Sequence, residues 1–370
     1  MPRPASAPGG RGRGRRSRPT NLADLTGPGI LPHSRATSGR KRNARRSRPR
    51  AAISSRAHTG AELAMLRQVL LWASENAWME RQMRRRAFAR RAVSRFMPGE
   101  TAGAALEAAR GLAEHDISTV FTKLGEALTD RDEIEKVVLH YLGLLERIAA
   151  EQLPSQISIK LTQLGQDLGP EVAQANLERL AAAAAAQGDV LWVDMEASPY
   201  VDETLDIFTA TLARYPDLGL CVQAYLYRTA ADVERLLSLG ARLRLVKGAY
   251  QEPADIAWPR KPDVDENFMV LTRLMLEDAN PAAPHGIATH DTVLLGRILE
   301  EARKMGLPGD AFEVQMLYGI RAREQLALRR RGIPVRVLIS YGPHWYPWYM
   351  RRLAERPANL GFVVRSVFAR

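Results

Sequence analysis

The chain has 370 residues, of which 46% are hydrophobic and 25% are charged, as in an ordinary soluble globular protein. Its formal charge of +12 would suggest nucleic-acid binding if it were spread over the fold. However, residues 1–60 hold fifteen of the 53 Lys and Arg residues and a single acid, Asp24, so this segment carries +14 and the remainder carries −2. The folded part is therefore not basic, and we do not expect it to bind nucleic acid.

Residues 1–60 are rich in Arg, Gly, Pro and Ser and poor in aliphatic side chains. Such a segment buries too little apolar surface to offset the entropy lost on ordering, so we expect a disordered basic extension. A start codon assigned too early, a weak contact with RNA or an anionic membrane, and an organellar leader stay open as alternatives. The fold prediction begins at residue 61.

The single cysteine, Cys221, excludes an intramolecular disulfide and a thiolate metal cluster. His285 and His290 lack the spacing of metal ligands, so we expect no metal. No run of 18 apolar residues occurs that would cross a membrane. These features favour a cytoplasmic protein or one bound peripherally to the inner membrane.

A regular alternation of helical and extended patterns follows residue 61. Apolar residues with helical spacing predict N-terminal helices within 64–72, 80–96 and 103–115. Eight short apolar or β-branched runs then predict strands at 116–121, 156–161, 190–195, 219–226, 243–249, 286–289, 312–317 and 334–341. Helical stretches separate these runs, for example at 133–150, 171–186, 201–215 and 292–304, and another follows at 346–353.

This alternation predicts an α/β fold, a (β/α)₈ TIM barrel over residues 116–370, with extra N-terminal helices over 61–115. A doubly wound open sheet is the rival architecture. Against it, no Gly-x-Gly-x-x-Gly sequence follows an early strand.

Polar residues gather where the predicted strands end, which is where barrel enzymes build their active sites. They occur at seven strand ends, namely at Lys160, Asp194 with Glu196, Gln223, Arg244 with Lys247, Thr289 with His290, Gln315 with Leu317, and Tyr341. Any one of them is more often part of a structural ion pair, because an unpaired buried charge is costly. Seven together favour a ligand with several charges and hydrogen-bonding faces, such as a flavin, and Gly248 would let backbone N–H groups approach an anion.

Arg351 and Arg352 lie in the predicted helix after the last strand. Adjacent helical residues point about 100° apart, so one solvent-facing and one ion-paired arginine is the simpler interpretation. At the start of a helix beside the barrel mouth, both side chains would instead bind one carboxylate, which the planar guanidinium suits.

Several of these segments resemble the proline dehydrogenase family in its short bacterial form, over roughly residues 79–367. The blocks that carry the resemblance are Val222-Gln-Ala-Tyr-Leu-Tyr-Arg228, Arg244-Leu-Val-Lys-Gly-Ala-Tyr-Gln-Glu-Pro253, Ala288-Thr-His-Asp291, Phe312-Glu-Val-Gln-Met-Leu-Tyr-Gly319 and the run from Trp345 to Asn359 that contains Arg351-Arg352. One departure is Thr122-Lys123, where family members often carry an acid shortly before Leu-Gly-Glu.

The resemblance implies a role for each site residue. Arg351, Arg352 and Lys160 would hold the substrate carboxylate, while Tyr250, Leu317 and Tyr341 would pack on the pyrrolidine ring. Arg244 would approach flavin N5, Asp194 would pair with Lys160, and Glu126 would gate the site by pairing with Arg351. The positions that would line FAD are Met195, Gln223, Val246, Lys247, Gly248, Ala249, Thr289 and His290.

The resemblance also implies the reaction: FAD-dependent oxidation of L-proline by hydride transfer to flavin N5, giving Δ¹-pyrroline-5-carboxylate, with electrons passed to a membrane quinone. Two alternatives stay open. One is a related flavin oxidoreductase such as a hydroxyproline dehydrogenase. The ring of Tyr341 argues against it, because this ring should crowd a hydroxyl group on the substrate ring. The other is a non-enzymatic protein that binds RNA or a membrane through residues 1–60.

Overall fold

Helices and strands alternate through residues 72, 76–85 and 93–355, which are the residues that the computed structural model describes. The strands are β1 (Ser118–Lys123), β2 (Ser155–Lys160), β3 (Leu191–Asp194), β4 (Leu218–Gln223), β5 (Arg242–Val246), β6 (His285–Ala288), β7 (Phe312–Leu317) and β8 (Val335–Tyr341). The α-helices are α1 (Ala77–Arg85), α2 (Ala102–Ala113), α3 (Arg131–Ala150), α4 (Pro170–Ala185), α5 (Val201–Leu212), α6 (Thr229–Ser238), α7 (Lys261–Glu277), α8 (Thr292–Lys304), α9 (Ala322–Arg330) and α10 (Trp345–Glu355).

The eight strands form one closed parallel barrel in sequence order. Closure is made by β1 and β8, which pair from Ser118↔Arg336 to Lys123↔Tyr341. The predicted (β/α)₈ barrel is therefore confirmed, and the open sheet is excluded because an open sheet would leave β1 and β8 unpaired. No helix among the described residues has both the length and the apolar character needed to cross a membrane.

Most strand boundaries differ from the prediction by one to three residues, and local backbone geometry explains three of these differences. Asp116 has φ +56°, a left-handed conformation, so β1 starts two residues later at Ser118. β4 ends at Gln223 because the next backbone turns, with Leu226 N donating to the Gln223 carbonyl at 3.3 Å. β5 ends at Val246 shortly before Gly248, whose φ is +117°.

Helix starts follow from side-chain caps that satisfy free backbone N–H groups. Asp130 accepts from the N–H groups of residues 132 and 133 before α3, and Asp291 does the same for residues 293 and 294 before α8. Thr101 caps α2, and Pro170 stands at the first position of α4, where no N–H is needed. Of the predicted N-terminal helices, α1 and α2 are described, whereas residues 1–60 and nearly all of 64–72 lie outside the described residues.

Side chains on each strand alternate between the barrel interior and the shell under the helices. In β8, Val335, Val337 and Ile339 belong to the large apolar core beneath the helices. Arg336 bonds Glu313 at 2.9 Å, and Leu338 packs against the cluster that contains Trp192, so these two face the interior. The interior therefore mixes charged and apolar side chains, and the apolar core lies mainly outside the barrel.

A second apolar cluster fixes the helix that follows the last strand. Trp345, Tyr346 and Tyr349 of α10 are buried with Val93 and Met97. The indole N–H of Trp345 also donates to a carboxylate oxygen of Glu100 at 3.0 Å. The segment that precedes the barrel thus positions α10, which carries Arg351 and Arg352.

Gly219→Ala tests how tightly the barrel interior is packed. Gly219 pairs with Trp192 across β3 and β4, and an added Cβ would lie 2.4 Å from the Trp192 ring. We expect a loss of about 1–3 kcal/mol in the free energy of unfolding, measured in urea. Gly296→Ala in α8 is the control, because its Cβ would meet nothing within 4 Å and alanine favours helix. Equal unfolding midpoints for the two variants would contradict this packing.

Candidate active site

One carboxylate and two cations meet at the C-terminal end of the barrel. Lys160 ends β2 and Asp194 ends β3, and the two are register partners. Lys160 Nζ lies 3.8 Å from Asp194 Oδ2, while Arg244 of β5 donates to Asp194 Oδ1 from across the barrel. The structure therefore brings these three predicted residues together around Asp194.

Arg244 is the most deeply buried charge of the group, with 2% of its surface exposed. Besides Asp194, its guanidinium donates to Ser158 Oγ at 2.7 Å and to Gln315 Oε1 at 3.4 Å. Its Cζ atom lies 4.9 Å from the centre of a Trp192 ring, a cation–π contact. These contacts offset the desolvation of the guanidinium and hold it in one orientation.

The charges of the site hold both cations in their protonated form. Burial alone would lower the pKa of Lys160, but the charge of Asp194, followed by Tyr250, Glu196 and Glu126, outweighs it and raises the pKa. Burial is also the largest single effect on Arg244, but the attraction of Asp194, together with that of Cys221 and Glu313, outweighs it and raises the pKa. Lys160 is thus a permanent cation at neutral pH, available to an anionic ligand through a side chain that is 20% exposed.

Gln223 is the last residue of β4, and only the nitrogen of its side-chain amide makes a hydrogen bond in the described structure. Its Nε2 donates to the backbone carbonyl of Glu196 at 2.8 Å, whereas its buried Oε1 has no hydrogen-bond partner within the described part of the chain. Buried acceptors are nearly always bonded, so such an atom indicates a ligand or water. Met195, the neighbour of Asp194, is also buried.

Glu196 is a buried carboxylate to which the sequence analysis gave no role. Thr162 donates to it from its hydroxyl at 2.9 Å and from its backbone N–H at 3.3 Å. Burial raises the pKa of Glu196, while the charge of Lys160 opposes that rise. The sequence signal was its position two residues after Asp194, and its contact with Thr162 could not be read from the sequence.

The last residue of β5 and the turn that follows it hold the next group of predicted residues, 246–250. Lys247 pairs with Asp265 and, at 3.4 Å, with Asp291. Gly248 has φ +117°, and a Cβ there would lie 2.4 Å from the Tyr225 ring, so only glycine fits this close approach. Val246, Ala249 and Tyr250 flank this turn within the same short segment.

His290 ties the end of β6 to the end of β7, while Thr289 makes a local contact in the same segment. The backbone N–H of Leu317 donates to His290 Nε2 at 2.8 Å, which makes that nitrogen an acceptor. Thr289 Oγ1 accepts from Asp291 N at 3.1 Å. Leu317 is in turn the register partner of Leu338 on β8.

Tyr341 does not face this site, so its predicted contact with the substrate ring is corrected. Its hydroxyl lies 2.7 Å from His140 Nε2 of α3, and its ring packs edge-on against Phe121 in the core beneath the helices. Alternation along β8 is the reason: Arg336 and Leu338 point inward, so residue 341 points outward. The sequence locates the last residue of this strand, but only the closed barrel shows on which face that residue lies.

The remaining predicted residues are Glu126, Arg351 and Arg352. Glu126 follows β1 and its charge helps to raise the pKa of Lys160, which places it beside the site. Arg351 and Arg352 lie in α10, but their side chains are outside the described residues. Their carboxylate contact and the Glu126–Arg351 gate therefore stay predictions.

Comparisons with known proteins identify the family. A family model described as proline dehydrogenase matches residues 105–365. Proline dehydrogenase 1 of Bacillus subtilis (strain 168) is 35% identical over 304 residues, which cover 82% of this chain and 99% of that protein. The chain belongs to the proline dehydrogenase family. A further relative, the proline dehydrogenase of Deinococcus radiodurans, is 33% identical over 82% of this chain and 98% of its own length.

Solved structures of larger proteins contain the same barrel as this chain. Proline utilization A from Bdellovibrio bacteriovorus superposes with a TM-score of 0.68 at 23% identity, a likeness that shows the fold alone. A variant of proline utilization A from Bradyrhizobium japonicum gives a TM-score of 0.61 at 25% identity. The matches cover 82% and 75% of this chain but only 37% and 32% of those larger proteins.

Asp194→Asn tests whether one carboxylate holds the proline dehydrogenase site together. Removing its charge leaves Arg244 buried beside no anion, so we expect a loss of about 3–5 kcal/mol in the free energy of unfolding, measured in urea. Glu266→Gln is the control, because the Glu266–Arg297 pair is exposed on both sides and such pairs contribute little. If Asp194→Asn unfolded at the same urea concentration as Glu266→Gln, the contact between Asp194 and Arg244 would not stabilise the fold.

Proposed function

We propose that this chain is a flavin-dependent proline dehydrogenase that oxidises L-proline to Δ¹-pyrroline-5-carboxylate, the first step in converting proline to glutamate. Its family membership supports this proposal, as do named proline dehydrogenases that it matches over 99% and 98% of their lengths. The observation that carries the proposal is the fixed cation Lys160 beside Asp194 and Arg244 at the barrel mouth.

The substrate carboxylate would bind Lys160. The Lys160 side chain is partly exposed, and its ion pair with Asp194 is long at 3.8 Å, so donors remain for an anionic ligand. Arg351 and Arg352 would complete the carboxylate contact, as the family resemblance implies. Leu317 and Tyr250 would pack on the pyrrolidine ring and orient its C5–H bond.

The residues around the mouth fit a flavin. Gln223 Oε1, which no donor of the described residues reaches, offers an acceptor for an N–H group on the pyrimidine edge of the cofactor. Arg244 and Lys247 offer positive charge, and the glycine turn at Gly248 brings backbone close to its neighbours. By resemblance, Met195, Val246, Ala249, Thr289 and His290 would complete the FAD site. No group of three or more His, Cys, Asp or Glu residues in the described ranges is arranged to hold a metal ion.

The protein's task in this reaction is mainly to hold and orient the substrate. A bound flavin would supply the hydride acceptor, its N5 atom, for the hydride that leaves proline C5. Lys160 fixes the carboxylate end, and the apolar residues exclude water from the ring. Loss of hydride is favoured when the proline nitrogen is unprotonated, so the rate should rise with pH. Electrons removed from proline would leave to a membrane quinone, which favours a cytoplasmic enzyme bound peripherally to the inner membrane.

Visible absorption of the purified full-length chain tests the proposed function. We expect flavin bands near roughly 380 and 450 nm, and we expect the longer-wavelength band to bleach when L-proline is added without oxygen. D-proline is the control, because with its carboxylate bound in the same place its ring would not be oriented like that of L-proline. A colourless protein that cannot be reconstituted with FAD would refute the cofactor, and a coloured protein that proline does not bleach would refute the substrate.

Lys160→Met, Arg351→Met and Arg352→Met test the carboxylate contact one residue at a time. One charge-assisted hydrogen bond contributes about 1.5–3 kcal/mol, so each change should raise the KM for proline roughly 10- to 100-fold. Lys304→Met on the exposed surface of α8 is the control and should leave KM unchanged. Rates are normalised to bound flavin. An unchanged KM in all three site variants would remove this contact from the account.

A further inference from the structure

We propose that the site also accepts pyrrolidine-2-carboxylates that carry a hydroxyl group on the ring, and that Leu338 and Ser340 of β8 form the wall facing that group. This inference deepens the proposed function and rests on it. It arises because β8 presents Leu338 and Ser340 to the barrel interior near its C-terminal end, with Tyr341 on the opposite face.

The orientation of β8 is established by contacts on both of its faces. Arg336 bonds Glu313, and Leu338 packs against the cluster of Val120, Val190 and Trp192, whose Trp192 ring contacts Arg244 inside the barrel. Tyr341 bonds His140 of α3, outside the barrel. Ser340 lies two residues beyond Leu338, so alternation places it on the inner face, one step nearer the mouth.

These two residues adjoin the predicted ring pocket. Leu338 is the register partner of Leu317, which the family resemblance places against the pyrrolidine ring. The β8 side of the pocket is therefore an aliphatic side chain followed by a small hydroxyl residue. An aromatic ring projecting from this strand would crowd a substituent on the substrate, whereas leucine and serine are smaller.

Ser340 also has a hydroxyl group that is available for a hydrogen bond. The residue is 1% exposed, and its Oγ has no hydrogen-bond partner among the described residues. A buried hydroxyl of this kind is uncommon in folded proteins and indicates a group still to be bonded. A ring hydroxyl on the substrate would both donate to and accept from Ser340, whereas proline itself would leave it unpaired.

An apolar pocket wall and a wall that contains a serine should differ in how well they accept a substrate with a ring hydroxyl. A wholly apolar wall discourages a ring hydroxyl because that hydroxyl loses its bonds to water and gains none. A wall with a serine replaces those bonds, and such polar matching dominates discrimination between closely related substrates. We therefore expect trans-4-hydroxy-L-proline to be oxidised with a kcat/KM within about tenfold of that for L-proline.

Steady-state kinetics of the flavin-loaded full-length chain, with an artificial electron acceptor, tests this inference. The ratio of kcat/KM for trans-4-hydroxy-L-proline to that for L-proline is measured in each variant. Ser340→Ala should lower this ratio about fivefold, the effect of one neutral hydrogen bond. Leu338→Tyr should lower it more, by roughly a hundredfold, because the larger ring would occupy the space of the hydroxyl.

Tyr341→Phe is the matched control, since it removes a hydroxyl from the adjacent residue on the outer face. It should leave the ratio unchanged. Normal oxidation of proline combined with a wild-type ratio below about one in a thousand would overturn this inference and leave the proposed function standing. A ratio that Ser340→Ala and any folded Leu338→Tyr both leave unchanged would overturn it as well. Failure to oxidise proline at all would instead overturn the proposed function, and this inference with it.

Discussion

The contact between Arg244 and Asp194 inside the barrel determines the arrangement of the site around it. Arg244 is almost fully buried, and a guanidinium in that position is stable only beside an anion. Asp194 supplies that anion and, through its second oxygen, also holds Lys160. One carboxylate thus joins three strands of the barrel mouth and keeps two cations at fixed positions. In the proposed function, Lys160 would bind the substrate carboxylate and Arg244 would lie beside the flavin.

Much of the fold was accessible from the sequence because hydrophobic periodicity and strand punctuation are local signals. The observed bounds of β7 and α8 coincide with the predicted ones. Polar residues at strand ends also predicted the site, since parallel strands in a barrel bring those ends together. Lys160, Asp194 and Arg244 were found in this way, although they are far apart in the chain.

The features that could not be predicted depend on the direction in which a side chain points and on the residues that it contacts. Tyr341 and Ser340 are neighbours at the end of β8 and so point to opposite faces, but only the closed barrel shows that Ser340 is the one that faces inward. That Gln223 Oε1 has no hydrogen-bond partner among the described residues appears only when the surrounding strands have been placed. The early end of β5 depends on the turn at Gly248, whose need for glycine comes from the ring of Tyr225 more than twenty residues earlier. Each of these is a tertiary effect that no local pattern contains.

A crystal structure of the flavin-loaded protein, reduced and then soaked with L-proline, would show whether Lys160 and Arg244 hold the substrate and the cofactor. We expect the proline carboxylate within hydrogen-bonding distance of Lys160 Nζ, the ring between Leu317 and Leu338, and the cofactor on the side of Arg244. We also expect Asp194 to keep its contacts with both cations. Proline bound elsewhere, or Lys160 and Arg244 separated from Asp194 in the occupied site, would contradict this arrangement.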